Sequence, residues 1–318
     1  MSVQRRRSTR RIDAMFAISA RAAGIALLGI LAAIAIFLIW HAIPAFGKDQ
    51  ANFWTSKEWS PDGTHRYGIV AIAAGTLISS AVALVIAVPI ALGVALFITE
   101  YAPKRIARPL SYVSDMLAGI PSVVFGLWGA LVLVKHLVGV EKFLNTAFGW
   151  IPLFSAPKSN FEAPIGSLFA TSVVLAIMIL PIIAAISREV FRQVDPANKE
   201  AALALGATKF EMVRTAVLPP SRSGIVAAIM LGLGRALGET IAVALVLGTS
   251  FIVQPHILQP GGTTIAANIA LSFGEAGSFG LPALIASGLV LFAITLVVNL
   301  IARTVIYRAG KVERAAVA

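Results

Sequence analysis

The chain has 318 residues, of which 58% are hydrophobic and only 13% charged, and its mean hydropathy is +0.87. A soluble domain of this length needs far more charge to cover its surface, so the composition excludes a soluble globular protein. The net charge of +11 would suit nucleic acid or anionic lipid, and the absence of cysteine rules out disulfides and cysteine-ligated metals.

A bilayer core of about 30 Å takes about 20 helical residues to cross. Apolar runs of that order lie at 22–43, 67–98, 109–134, 164–187, 221–250 and 281–302. They predict an all-α integral membrane protein with about six transmembrane helices. The N-terminal tail, 1–21, carries Arg5, Arg6, Arg7, Arg10 and Arg11. Arg10-Arg11 could open a twin-arginine export signal. The apolar run behind it is too long for that, lacks a small-residue cleavage site and is followed by more spans, so it reads as a retained first helix. Basic residues recur on alternate connections: Lys104, Arg105 and Arg108 on the second, and Arg188, Arg192, Lys199, Lys209 and Arg214 on the fourth. Arg308, Lys311 and Arg314 follow the last span. The other connections hold a scatter (Lys48, Lys57, Arg66, Lys142, Lys158), and 251–280 holds none. The positive-inside rule then puts both termini in the cytoplasm. The excess charge is topological and calls for no nucleic acid.

After the first span, the polar connection 44–66 leads to Tyr67 and carries Trp54 and Trp59, rings expected at a membrane interface. The third connection, about 135–163, contains Trp150, Pro152 and Pro157, and its Phe148 and Ile151 hint at an interfacial segment. Pro89 and Pro181 read as helix kinks. Pro121 sits in Gly119-Ile-Pro-Ser-Val-Val-Phe-Gly126, beside Ser122 and two glycines. That combination suggests a bent, closely packed helix near a translocation path, or packing alone.

Residues 195–220 read as a compact knob. Asp195 before Pro196 is the usual order of an N-cap and a first-turn proline. A short helix follows from Asn198 to Leu205 and Gly206 ends it; Ala207–Val217 forms a second, stopped by Leu218-Pro219-Pro220. An amphipathic loop lying on the membrane is the plainer alternative. No phosphate-binding G-x-x-x-x-G-K-[ST] occurs, so any ATP-driven step belongs to a partner. Gly232-Leu-Gly-Arg-Ala-Leu-Gly238 lies inside an apolar span, which disqualifies it as a dinucleotide fingerprint.

In the fifth span Arg235 and Glu239 fall near the bilayer centre, where a lone arginine costs roughly 2.5–3.5 kcal/mol. One helical turn apart, they are expected on one face, with Glu239 holding Arg235. Either the pair simply neutralises itself, or Arg235 lines the path of an anion: guanidinium presents parallel donors to two phosphate oxygens. A carboxylate beside it accepts a hydrogen bond from protonated phosphate and disfavours fully ionised sulfate. Gly232, Gly234, Gly238 and Gly248 would let another helix approach closely. The four histidines (His41, His65, His136, His256) sit at span ends or outer connections without metal-ligand spacing, which makes an intramembrane metalloenzyme remote.

The order Glu200-Ala201-Ala202, Gly206, Leu218-Pro219 resembles the EAA loop by which ABC importer permeases dock on their ATP-binding subunit. One position departs from the pattern: Ala216 stands where a large aliphatic is usual, with Val217 beside it. Ile98-Thr-Glu-Tyr-Ala-Pro103, Gly119–Gly126, Gly234-Arg-Ala-Leu-Gly-Glu-Thr240 and Thr263-Thr-Ile-Ala-Ala-Asn-Ile-Ala270 together resemble the C-type (PstC-type) membrane subunit of phosphate ABC importers. The resemblance implies a type I permease-like core over 67–308, with the coupling loop at about 195–220. Residues 1–21 and 309–318 would be cytoplasmic tails, and 22–66 the first helix with its outer loop. It further implies a multi-pass protein of a prokaryotic cell membrane that binds no cofactor and is not itself an enzyme, ATP and magnesium residing on a partner. The implied partners are an A-type permease, two ATP-binding subunits and an extracytoplasmic phosphate-binding protein. Arg235 and Glu239 match the charged pair tied to transport in that family. A permease for another oxyanion (sulfate, molybdate, phosphonate) keeps the knob but gives the pair no special role. A channel or secondary transporter leaves the knob unexplained.

Overall fold

A computed structural model describes residues 2–157, 166–248, 250–251 and 256–317, with side chains described for 15–47, 49–157, 166–248, 250–251 and 256–304. The side chains of Arg5, Arg6, Arg7, Arg10, Arg11, Lys48, Lys158, Arg308, Lys311 and Arg314 lie outside that set, as do residues 164 and 165 at the start of the expected fourth span. Among the described residues, six helical runs are long and apolar enough to cross a membrane: Met15–Gly47, Val70–Tyr101, Ser122–Phe148, Leu168–Arg192, Lys209–Gly238 and Gly280–Thr304.

In chain order, helix α1 (Ser2–Lys48) is followed by a small hairpin, β1 (Trp59–Ser60) and β2 (Arg66–Tyr67), and then by α2 (Val70–Leu96). A π turn over Phe97–Tyr101 leads to α3 (Lys104–Ala118). The third span consists of α4 (Ser122–Trp128), a π turn and α5 (Val134–Phe148). The fourth is α6 (Leu168–Arg192). Two short helices, α7 (Pro196–Ala204) and α8 (Lys209–Met212), precede α9 (Leu218–Gly238) and α10 (Ile241–Leu247). Helix α11 (Ile265–Ser272) and the long α12 (Gly280–Val317) complete the chain.

The third span is therefore not 109–134. Gly119 and Pro121 split that apolar run, because proline cannot continue the helix before it. The part before the break, α3, is amphipathic; the span proper begins at Ser122. The prolines of Leu218-Pro219-Pro220 do not stop a helix either. They stand in the first turn of α9, where the missing N–H groups cost least, and the π turn Val213–Val217 carries α8 into it.

The core forms where α2, α6 and α9 meet. Ala83, Ala87 and Ala91 make a fully buried stripe on α2 against Leu175, Ile179 and Ile183 of α6. Small residues let the two backbones approach without side-chain loss. On α9, a Cβ at Gly232 would lie 2.7 Å from Ile183, whereas one at Gly234 would meet nothing within 4 Å. Gly232→Leu is thus expected to cost about 1–3 kcal/mol by overpacking. It should lower the thermal midpoint of the purified protein, whereas Gly234→Ala, with open space around it and the better helix former, should not lower it.

At the end opposite the basic connections, Trp59 and Tyr67, expected as interface rings, are buried within the protein. They join Phe53, Ile72 and Leu284 in a second buried cluster, where the Tyr67 hydroxyl donates to Ala45 O at 2.6 Å. A buried phenol needs such a partner, and the hairpin supplies the geometry. Trp54 stays exposed. Burial, with the Asp49 carboxylate close by, pushes the Tyr67 phenol up to about 12. The fold holds the neutral phenol, so the stability it contributes is complete below pH ~10 and lost as pH rises through the folded value. An ultraviolet titration, with Tyr67→Phe as the difference, should show that midpoint near 12.

Asp62 at the hairpin tip accepts from the backbone N–H groups of Gly277, Phe279 and Gly280, fastening the loop to the start of α12. Burial raises its carboxyl, but the three donors outweigh it and hold the group below the usual range. The stretch 263–270 packs into the fold. A Cβ at Gly75 would lie 2.1 Å from Thr263 O, and the Thr76 hydroxyl accepts from Ile265 N at 2.9 Å, so α11 starts pressed against the second span.

Candidate coupling knob and charged break

The knob forms as its sequence suggests. The Asp195 carboxylate accepts from Ala197 N at 2.9 Å and caps α7, with Pro196 in the first turn. Gly206 follows at φ 85°, a left-handed turn that favours glycine. Thr208 and Glu211 then form a capping box that opens α8. Glu200, Ala201, Leu203 and Leu205 are exposed, Leu205 by 89%, and no residue of α7 is buried. Ala202 is half-buried, packed on Phe191, Val194, Met212 and Val213. Val217 is fully buried in the same cluster and Ala216 packs against it, so the larger apolar contact comes from Val217.

One anchor was not legible in the sequence. Lys199 Nζ lies 2.6 Å from Glu100 Oε1, with side chains 20% and 7% exposed, and also donates to Phe191 O. Glu100 sits in the π turn at the end of the second span. The knob is thereby clamped to that span as well as being continuous with α9. A second pair joins Arg188 NH2 to both oxygens of Asp115 at 2.8 and 3.0 Å, tying α3 to the end of α6.

The fifth span differs from expectation at its charged pair. Helix α9 ends at Gly238; Glu239 is extended, with φ −68° and ψ 128°. Glu239 is only 8% exposed, and its carboxylate accepts from Ala242 N at 3.3 Å, capping α10. Among the described residues no hydrogen bond or ion pair joins it to Arg235, and the buried Nε of Arg235 has no hydrogen-bond partner. The helix break explains this. A carboxylate that follows the last helical residue is better placed to cap the next helix than to reach back one turn. The break still places each charge favourably: Arg235 lies in the last turn of α9, at its negative end, and Glu239 at the positive start of α10. Broken helices whose ends point into a path are a recurrent device of transporters.

Arg235 is half-buried, on one helical stripe with exposed Leu231, Gly234 and Gly238. Gly234 and Gly238 meet nothing within 4 Å, and their G-x-x-x-G spacing suits the close approach of another helix. Gly248, at φ 68°, is equally open and ends α10. Pro121 forms the joint before α4, and Ser122 begins the span. A Cβ at Gly126 would lie 2.7 Å from Ala242 Cα, so α4 packs directly on α10, just past the break. The structure thus brings the Pro121–Gly126 segment and the charged break together. The knob stands apart, about 25 Å from Arg235 along α9 at 1.5 Å per residue. Glu141 of α5, 6% exposed, was also missed; it accepts from the Ser167 hydroxyl at 2.5 Å.

Comparison with known proteins gives the family of the chain. Residues 87–309 match the family described as "Binding-protein-dependent transport system inner membrane component". A Mycobacterium tuberculosis protein, "Phosphate transport system permease protein PstC 2", is 46% identical over 311 residues, covering 96% of this chain and 95% of the relative. The Mycobacterium leprae "Phosphate transport system permease protein PstC" is 46% identical over 275 residues, covering 85% and 86%. The Xylella fastidiosa protein of that name is 41% identical, covering 95% and 93%. Among solved structures, a chain of a bacterial ABC transporter for import of the acidic polysaccharide alginate superposes with a TM-score of 0.54. It is 17% identical and covers 95% of this chain and 99% of that one, a likeness of fold. With a family match across most of its length and relatives at this identity, the chain belongs to the binding-protein-dependent transport system inner membrane components, the permease subunits of ABC importers.

Proposed function

We propose that this chain is a transmembrane permease subunit of an ATP-driven importer of inorganic phosphate. The observation that carries the reading is Arg235: a permanently charged guanidinium on an uncovered helical stripe, its Nε unpartnered, beside a break capped by Glu239. The names of relatives matched over more than nine-tenths of their length support phosphate as the cargo.

The uncovered stripe meets a second, A-type permease, and phosphate passes between the two. Arg235 receives the anion, its parallel N–H donors matching two phosphate oxygens. Glu239 lies past the break, near enough to the path to accept a hydrogen bond from protonated phosphate and to oppose sulfate, which has no proton to donate. The exposed face of the knob, Glu200, Ala201 and Gly206, docks on one of two ATP-binding subunits, where ATP and magnesium reside. Its movement reaches α9 directly and the second span through Lys199 and Glu100. An extracytoplasmic phosphate-binding protein delivers the cargo at the hairpin end. In this orientation the basic connections, and with them both termini, face the cytoplasm.

The test is labelled phosphate uptake in cells lacking their own phosphate carriers and expressing this chain with its candidate partner subunits. Uptake should require this chain and ATP. Assembly without phosphate uptake would move the reading to a permease for another oxyanion, leaving the architecture intact.

A further inference from the structure

Helix α3 leaves an apolar groove of about 570 Å³ between itself, the second span and α6. Its walls include Ile90, Val94 and Phe97 of the second span, Leu110 and Leu117 of α3, and Pro181 of α6. Gly93 lines it too, and a Cβ there would meet nothing within 4 Å. From Ile90 to Ile98 the groove runs about 12 Å at 1.5 Å per residue. That fits within one leaflet of a hydrocarbon core about 30 Å thick.

The same helix is basic where the groove approaches the membrane surface. Lys104, Arg105 and Arg108 precede Leu110, are exposed, and enter no ion pair among the described residues. The one acid of α3, Asp115, is held by Arg188. Long basic side chains lay their stems on apolar surface and present their charge at the headgroup level.

We propose that this groove binds an acyl chain of one anionic phospholipid, whose headgroup rests on Lys104, Arg105 and Arg108. A helix from another subunit would fill the apolar walls but bring no charge to the three cations. The lipid lies against the Phe97–Tyr101 turn, whose Glu100 grips the knob, and its binding does not depend on which anion the chain transports.

The test is native mass spectrometry of the assembled complex released from nanodiscs of equal parts phosphatidylglycerol and phosphatidylcholine. Basic residues near an anionic headgroup are each worth about fivefold. One phosphatidylglycerol per copy of this chain should therefore be retained over phosphatidylcholine by at least that factor. Gly93→Phe, which fills the groove, should lose it. The combined Lys104→Gln, Arg105→Gln and Arg108→Gln variant, altered only at exposed positions, should assemble and retain the two lipids equally. Equal retention of lipid by wild type and Gly93→Phe overturns the proposal and points to a helix in the groove. A headgroup preference that survives the triple substitution overturns it as well. If Gly93→Phe does not assemble, the triple variant alone decides.

Discussion

Arg235→Ala is expected to reduce phosphate uptake by about a hundredfold or more while the complex still assembles. Hydrogen bonds to charged groups contribute about 1.5–3 kcal/mol each. Two lost guanidinium donors therefore amount to about 3–6 kcal/mol, and each 1.4 kcal/mol is tenfold. Assembly should survive because Arg235 makes no hydrogen bond or ion pair within the chain among the described residues, so its removal orphans no buried partner. Arg235→Lys should recover only part of the uptake, since an ammonium keeps the charge but not the two-pronged geometry. Co-purification of the other subunits, measured beside uptake, separates the possibilities. Loss of the complex would make Arg235 a structural tie between subunits. Glu239→Gln makes the complementary case: the amide oxygen can still cap Ala242 N, so the break should persist. With the carboxylate gone, sulfate should begin to compete.

The second large effect is expected at the clamp between Lys199 and Glu100. Removing one partner of a buried ion pair typically costs about 3–5 kcal/mol, because the other charge is left uncompensated. Here that cost falls on the joint between the knob and the second span. Lys199→Met or Glu100→Gln should leave ATP hydrolysis by the assembled complex largely intact while uptake falls at least tenfold. The exposed docking face of α7 does not include either side chain of the pair. The exchange Lys199→Glu with Glu100→Lys should restore part of the uptake, which a merely steric lesion would not allow. Equal loss of hydrolysis and uptake in both single variants would place the pair in subunit docking instead of transmission.

The number of spans, the knob and its caps, and the open glycines of α9 could be read from the chain, because each rests on a local rule. Six long apolar runs, an aspartate before a proline, and a glycine at a turn announce themselves within a few residues. The failures arose where hydropathy hid a change of backbone direction. Residues 109–134 are uniformly apolar enough to pass for one span, yet Gly119 and Pro121 divide them into an amphipathic helix and a span that starts later. In the same way 221–250 conceals the break at Glu239, so the carboxylate expected beside Arg235 caps α10 instead. The signal was present in Gly238 and Thr240 flanking the glutamate. Gly238 ends α9, and the Thr240 hydroxyl bonds back to the Gly238 carbonyl. Lys199–Glu100 and Arg188–Asp115 were illegible for another reason. Their partners lie far apart in sequence, and their cations looked like ordinary topological charge.

The most direct test of the central claim is ATP-driven uptake of labelled phosphate into proteoliposomes containing the purified complex, with sulfate and molybdate as competitors. Phosphate uptake that needs this chain, resists both competitors and disappears with Arg235→Ala is the predicted result. Uptake that either competitor blocks, or that Arg235→Ala leaves unchanged, would contradict a phosphate path built on Arg235.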